Sequence, residues 1–229
     1  LKNIWICLGP YRVNYKKEIF PYQWKIGLSW ISGYFIFQLF NPVLFATEGS
    51  VIAGRMGMTL TALNAIQALS YSWINTKVPR MSGLIAQKNY TVLDNLFNAT
   101  IRQMLGIAAV IIFIFVLTIS FLNMYNVKIL GLDISSRFLP ILPLILMSIA
   151  TFLAMPVNAW ATYLRCHKRE PLLMNSIVIA LLCCTSTILG GKYYGLIGIV
   201  TGFLCIRLIS LIWTFLIFKN KKIDWHGNI

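Results

Sequence analysis

The chain has 229 residues, of which 58% are hydrophobic and 11% are charged, and its mean hydropathy is +0.74. Soluble domains carry about a quarter charged residues, so this composition excludes an ordinary soluble enzyme and favours an integral membrane protein. The formal net charge is +14, but the basic residues form short clusters between apolar stretches, with no nucleic-acid-binding motif beside them. This pattern is typical of membrane-protein loops and excludes a nucleic-acid partner.

A basic, aromatic segment over residues 1–23 comes first and is interpreted as a cytoplasmic linker, and because residue 1 is Leu, we expect a fragment of a longer chain. Six apolar runs follow, each long enough to cross a bilayer, at residues 24–48, 51–76, 101–124, 138–164, 171–190 and 193–218. Residues 219–229 form a basic cytoplasmic tail. The predicted fold is an all-α integral membrane protein with six transmembrane helices over residues 24–218.

The segment at residues 80–97 joins the second and third runs. Its apolar residues recur at helical spacing, which predicts a short helix in the membrane interface, with a polar loop as the alternative. These residues are Met81, Leu84, Ile85, Val92, Leu93 and Leu96.

The basic residues predict the orientation of the six runs. Residues 1–25, 77–102, 165–170 and 219–229 together hold 15 Lys and Arg, whereas the loops on the other side hold only Lys128, Arg137 and Lys192. The positive-inside rule therefore places both chain ends in the cytoplasm.

Two arginines lie inside apolar runs. Arg207 is near the middle of the sixth run, with Ser210 and Thr214 on its helical face and Gly198-x-x-x-Gly202 on the opposite side. Buried charges often face a transport cavity, but snorkelling to the interface or pairing with carbonyls is equally consistent with the sequence. Arg55, near the outer end of the second run, has the same two interpretations.

Polar residues form stripes along the first two runs. The second run carries Asn64, Gln67, Tyr71 and Asn75 within an arc of about 80°. The first run carries a matching stripe, interrupted by Pro42, that consists of Trp30, Tyr34, Gln38, Asn41 and Glu48. Aromatic and amide groups on one face suit a sugar or another polar headgroup, and they equally suit hydrogen bonds between helices.

The fourth run is predicted to be irregular, because it contains Pro140, Pro143 and Pro156. Broken helices often line binding sites, which makes the neighbouring Asn158 a candidate, although a kink for packing alone is the alternative. The two histidines, His167 and His226, are in a loop and the tail. Neither a carboxylate pair, a phosphate loop nor a metal-ligand pattern is present, so we predict no enzyme activity and no cofactor.

Three segments resemble a known family. They are NAIQALSYSWINTKVPRMSGLIAQKNYTVLDNLF (residues 64–97), NAWATYLRCHKREPLL (158–173) and YYGLIGIVTGF (193–203). They resemble the second half of Wzx-type O-antigen and polysaccharide flippases, which belong to the multidrug/oligosaccharidyl-lipid/polysaccharide exporter superfamily. Such proteins have two lobes of six helices, so the resemblance implies that this chain is the C-terminal lobe and that its partners include a missing N-terminal lobe.

The resemblance also implies a function in the bacterial inner membrane, where such proteins move a polyprenyl-diphosphate-linked oligosaccharide between leaflets during surface polysaccharide biosynthesis. On this interpretation Arg55 and Arg207 attract the diphosphate, since arginine binds phosphate in bidentate fashion. The side chains predicted to meet the glycan are Gln38, Asn41, Asn64, Gln67, Tyr71 and Asn158.

Three other functions stay open. A drug exporter of the same superfamily would need membrane-buried acids, and this chain offers only Glu48. A membrane enzyme would need acids, histidines or a large loop. A truncated lobe that does not transport would expose its cavity face.

Overall fold

The computed structural model describes residues 20–125, 128–129, 132–133 and 135–226, and within these ranges the chain is almost entirely helical. The other elements are an antiparallel pair of two-residue strands, β1 (Lys128–Ile129) and β2 (Leu132–Asp133), and a 3₁₀ turn (Ser135–Arg137). The helices are α1 (Phe20–Gln38), α2 (Phe40–Glu48), α3 (Ser50–Asn75), α4 (Val78–Ala86), α5 (Tyr90–Met124), α6 (Ile141–Cys166) and α7 (Leu173–His226). The expected helical class is thereby confirmed.

Four helical stretches in this part of the chain are long and apolar enough to cross a membrane. They are Gln23–Glu48, Tyr90–Met124, Ile141–Cys166 and Leu173–His226. The number differs from the six predicted runs for two reasons. Helix α3 is not among the four stretches, because its polar stripe makes it less apolar. The last two runs are joined in the single stretch α7.

Helix α7 reverses direction at Gly195, whose φ of 58° and ψ of −139° are not helical. The Asn175 amide donates to the Thr214 hydroxyl at 2.9 Å, although 39 residues of straight helix would separate them by about 58 Å. We therefore divide α7 into α7a (residues 173–194) and α7b (residues 196–226), which pack antiparallel. The small residues Gly190 and Gly198 meet at the closed end of this hairpin, which confirms the packing face expected beside Gly202.

The first apolar run is broken at Leu39, between α1 and α2. Pro42 explains the break, because it cannot donate to the carbonyl of Gln38 four residues earlier and its ring crowds that carbonyl. Gly49, with φ at 90°, then separates α2 from α3. Helix α2 lies against the hairpin, where Val43 contacts Gly191.

The short helix expected over residues 80–97 is instead two pieces, α4 and the first turns of α5. The chain turns at Lys88, which has a positive φ of 56°, and Asn89 caps α5 by accepting from the Val92 N–H at 3.4 Å. The fourth run, which was expected to be irregular, is a single helix, α6, without a break. Pro140 precedes its first turn and Pro143 lies within it, where a missing N–H costs little, and only Pro156 is in its interior.

The buried core lies where α6 packs against α3, α5 and α7, with α1 and α2 packed on α7. Its largest fully buried side chains include Tyr163, Phe40, Met56 and Met147. One end of the bundle brings together α4, the loop after α6 and the end of α7b, and we call it the basic end because it carries Lys77, Arg80, Lys88, Lys168, Arg169, Lys219, Lys221 and Lys222. The opposite end carries the hairpin turn at Gly195.

The tail predicted at residues 219–229 is helical as far as His226, and the last three residues lie outside the described ranges. Lys222 pairs with the Asp94 carboxylate at 2.8 Å, and the same carboxylate accepts a hydrogen bond from the Tyr163 hydroxyl at 2.8 Å. The linker predicted at residues 1–23 lies mostly outside the described ranges, and α1 already begins at Phe20.

Two histidines complete the docking of the tail. Their Nε2 atoms lie 3.2 Å apart, the His167 Nδ1 faces the Tyr163 carbonyl at 3.1 Å, and the His226 ring stacks on Tyr90. Burial, as the largest cause, lowers the pKa of His167 below its usual 6.5. One of the two Nε2 atoms must be unprotonated to accept the hydrogen bond, so the docked tail requires a neutral imidazole.

The first prediction concerns the hairpin. A Cβ at Gly190 would lie 2.9 Å from the Gly198 carbonyl carbon, whereas a Cβ at Gly106 of α5 would meet nothing within 4 Å. Gly190→Ala should therefore lower the free energy of unfolding by about 1–3 kcal/mol through overpacking. Gly106→Ala should raise it by about 0.5–1 kcal/mol. Equilibrium unfolding in detergent checks both, and equal effects of the two substitutions would contradict the close hairpin.

The second prediction concerns the tail. The lowered pKa of His167 means that docking is complete above the usual imidazole pKa of 6.5 and is lost as the pH falls through the lowered value. Asp94 and Tyr163 face the pair, as do the cations Lys222 and Arg169, which oppose a second positive charge. Protection of residues 219–226 from hydrogen exchange, measured relative to the intrinsic exchange rate at each pH, should therefore fall on acidification.

His226→Gln is the matched control for the tail. A glutamine amide can donate to the unprotonated Nε2 of His167 and, with its amide group turned over, can accept from the protonated Nε2, so protection in this variant should depend much less on pH. An unchanged acid-induced loss of protection in His226→Gln would rule out the histidine pair as its cause.

Candidate functional site

A cavity of about 560 Å³ lies between α1, α3, α6 and α7, in the half of the bundle nearer the basic end. Helix α1 packs on α7, whereas α3 packs on α5 and α6. Helices α1 and α3 are connected by α2, and the cavity is the space between them on the side nearer the basic end. Its polar and aromatic lining consists of Ser29, Trp30, Tyr34, Phe37, Asn64, Gln67, Tyr71, Asn158, Arg165, Asn175, Ser176, Arg207, Ser210 and Thr214.

Arg207 lies at the deep end of this cavity and is 8% exposed. Its guanidinium carbon is 4.7 Å from the ring centre of Phe203 and 5.3 Å from that of Phe37. Its Nε is buried and, among the described residues, has neither a hydrogen-bond partner nor a carboxylate within ion-pair distance of its guanidinium. Its side chain is therefore enclosed between α1 and α7.

The energetics of Arg207 favour an anion in the cavity. A central arginine costs about 2.5–3.5 kcal/mol on membrane-insertion scales, and each contact with an aromatic face returns about 0.5–2 kcal/mol. A partner carboxylate would normally offset the remaining cost of burying the charge, because buried charges are usually paired. An anionic group entering the cavity would supply that missing interaction.

The hairpin fixes the direction in which Arg207 faces. Gly202 lies against Ser186, and Gly198 against Gly190, so one side of α7b is held on α7a. The opposite side, with Arg207, Ser210 and Thr214, lines the cavity. This is the division into a packing face and a polar face that the sequence predicted.

Arg165 lines the cavity nearer the basic end, and the sequence analysis assigned it only to a loop. Its Nε and Nη2 donate to Glu170 at 2.6 and 3.1 Å, and Nη2 also lies 3.5 Å from the Ser29 hydroxyl. The Glu170 side chain is 1% exposed. The Glu170 carboxylate does not itself line the cavity, so the described lining holds two guanidinium groups and no carboxylate.

Tyr71 is held by α6. Its hydroxyl donates to the Asn158 carbonyl at 2.8 Å and also contacts the Thr162 hydroxyl. This arrangement is the interhelical hydrogen bond that the sequence left as an alternative for the stripe. Tyr71 therefore joins α3 to α6 at the cavity wall, and only the remainder of its side chain faces the cavity.

The structure brings five of the eight predicted site residues to one cavity, namely Arg207, Asn64, Gln67, Tyr71 and Asn158. The other three lie outside its described lining. Gln38 ends α1, Asn41 is exposed beside Gly57 on α3, and Arg55 is half-buried in the outer part of α3 with its Nε lacking a hydrogen-bond partner among the described residues.

Glu48 has a structural contact at the hairpin end. Its carboxylate accepts from the Leu196 N–H, the first of α7b, where the positive end of the helix dipole favours a negative charge. A Cβ at Gly195 would overlap this carboxylate, which gives a reason for glycine there besides its positive φ.

Elsewhere in the described ranges, no group of three or more His, Cys, Asp and Glu side chains is placed to hold a metal ion. The two histidines face each other at the tail, outside the cavity. No family model matches the sequence, and neither the curated proteins nor the solved structures include a significant match.

Proposed function

We propose that this chain is the C-terminal lobe of a bacterial inner-membrane flippase that carries a polyprenyl-diphosphate-linked oligosaccharide across the bilayer. The observation that carries the proposal is the cavity itself, with buried Arg207, a second guanidinium from Arg165, and no carboxylate in its described lining. A diphosphate and a glycan cannot cross hydrocarbon unaided, because burying unpaired polar and charged groups is costly. A cationic, hydrogen-bonding cavity offsets that cost while the lipid tail stays in the bilayer.

The location of the cavity suits loading from the cytoplasm. The basic end is cytoplasmic by the positive-inside rule, and the cavity extends from that end towards Arg207. A lipid-linked oligosaccharide assembled at the cytoplasmic leaflet would therefore meet Arg165 first and Arg207 last.

Six spans are consistent with the helix lengths. Helix α3 has 26 residues, which is about 39 Å of helix and enough to cross a hydrocarbon core of about 30 Å. The two antiparallel parts of α7 supply two spans in place of one. With α1–α2, α5 and α6 the number becomes six, which returns both described ends to the cytoplasmic side.

The drug-exporter alternative is weakened by the position of Glu48. A cation exporter needs a membrane-buried acid in its cavity, whereas Glu48 caps α7b at the far end and lies outside the described lining. A lobe that does not transport is the second alternative, and transport measurements on the intact protein distinguish it.

The third prediction tests the anion site. In the intact protein, Arg207→Ala should lower surface glycan roughly tenfold or more, because a hydrogen bond to a charged group contributes about 1.5–3 kcal/mol. Arg207→Lys should retain part of the activity, since it keeps the charge but loses bidentate geometry. Surface glycan and the amount of inserted protein are measured together.

Arg55→Ala is the matched control, since it removes the same group from outside the cavity lining. Its effect on surface glycan should be clearly smaller than that of Arg207→Ala. Wild-type glycan export by well-inserted Arg207→Ala would overturn the proposed function.

The fourth prediction tests the six spans. Single cysteines at Val51, Ser136 and Tyr194 should react with an impermeant reagent from the periplasmic side. Cysteines at Lys88 and Lys168 should react only from the cytoplasmic side. Labelling of positions 51 and 88 from the same side would show that α3 does not span the membrane.

A further inference from the structure

Helix α1 presents two aromatic rings to the cavity. Trp30 and Tyr34 are one turn apart and, with Phe37, fall within about 60° of one helix face. Trp30 is 69% exposed and Tyr34 is 63% exposed, although both line the cavity. Phe37 differs, because it packs against Phe203 and the guanidinium of Arg207. The Trp30 and Tyr34 rings, nearer the basic end, are therefore more exposed than the Phe37 ring.

Two amide side chains from α3, Asn64 and Gln67, line the same cavity. Each amide offers two donors and one acceptor oxygen, which suits hydroxyl groups. An aromatic face carries partial negative charge and attracts the weakly positive C–H groups of a sugar ring. Sugar rings have such an apolar C–H face and a rim of hydroxyls, so these four side chains together match both of their surfaces.

The spacing along α1 relates this surface to Arg207. Phe37 contacts Arg207, and Tyr34 and Trp30 precede Phe37 by three and seven residues, or about 5 and 10 Å of helix. One sugar ring is about 5 Å across. The offsets therefore match the first and second sugars attached to an anionic group held by Arg207.

We propose that Trp30 and Tyr34 form an aromatic platform that binds the two sugars nearest the diphosphate, with Asn64 and Gln67 hydrogen-bonding to their hydroxyls. This inference rests on the proposed function and adds the orientation of the substrate. The diphosphate lies at the deep end beside Arg207, and the glycan extends towards the basic end. The platform discriminates glycosylated from bare lipid, whereas Arg207 binds both.

The test is direct binding of two probes to the full-length protein in lipid nanodiscs. One probe is a polyprenyl diphosphate without sugar, and the other is the same lipid carrying a disaccharide. Trp30→Ala and Tyr34→Ala should each weaken binding of the disaccharide probe about tenfold, a loss typical of a removed aromatic stacking partner. Binding of the bare lipid should change less than twofold, and Trp30→Phe should restore part of the loss.

Trp73→Ala is the matched control, because Trp73 is 42% exposed on α3 but lies outside the described cavity lining. It should leave both affinities unchanged. Thermal unfolding of each variant checks folding, and Trp30→Ala should unfold like the parent because its ring is largely exposed.

The outcomes separate the two proposals. If Arg207→Ala weakens both probes while Trp30→Ala and Tyr34→Ala weaken neither, or weaken both equally, the platform is overturned and the proposed function stands. If the parent protein binds neither probe, the proposed function itself fails. Selective loss of the disaccharide probe in the platform variants, with Trp73→Ala unchanged, supports the inference.

Discussion

The close approach of α7a and α7b is the contact on which the rest of the structure depends. Gly190 and Gly198 let the two backbones meet, Gly195 supplies the reversal, and the Glu48 carboxylate caps the new helix. Helices α1, α2 and α6 all pack against this hairpin. Because small residues occupy one side of α7b, Arg207 on the other side is directed into the space that α1 and α3 leave open.

The distribution of charge gives the cavity its chemical preference. Glu48 is held at the hairpin end, and the Glu170 carboxylate is held by Arg165 outside the described lining. Arg165 is therefore neutralised by Glu170, whereas Arg207 has no carboxylate within ion-pair distance among the described residues and lies against two aromatic faces. In a low-dielectric region this imbalance favours an anionic guest over a cationic one.

Helical periodicity correctly predicted the site residues on α3, but it failed for the two residues at the boundary between α1 and α2. Asn64 and Gln67 share one unbroken helix, so spacing of 100° per residue placed them on one face, and both line the cavity. Gln38 and Asn41 were assigned by extending the α1 stripe, but they lie at the boundary between α1 and α2, beyond Phe37, where the described lining on α1 ends. Pro42, three residues after Leu39, is the sequence signal for this boundary.

Contacts that depend on an irregular turn were harder to predict. Arg165 enters the cavity lining because the turn at Lys168, with a φ of 56°, brings Glu170 back to its guanidinium. Such a turn leaves no periodic signal, so charge patterning assigned Arg165 to a loop. The direction of Arg207 was predictable, because Gly198 and Gly202 define the packing side and the polar residues occupy the other.

The uncovered side of the cavity limits what can lie opposite it. Asn64 and Trp30 are exposed on neighbouring walls, and lipid tails cannot hydrogen-bond to an amide. A second protein wall, water or a polar substrate must therefore face them. Under the proposed function, a second lobe that rocks against this one would cover and uncover the same side in turn, and the hairpin would hold Arg207 in place throughout that movement. Fixed cationic residues with a movable opposite wall are what translocation of an anionic headgroup requires.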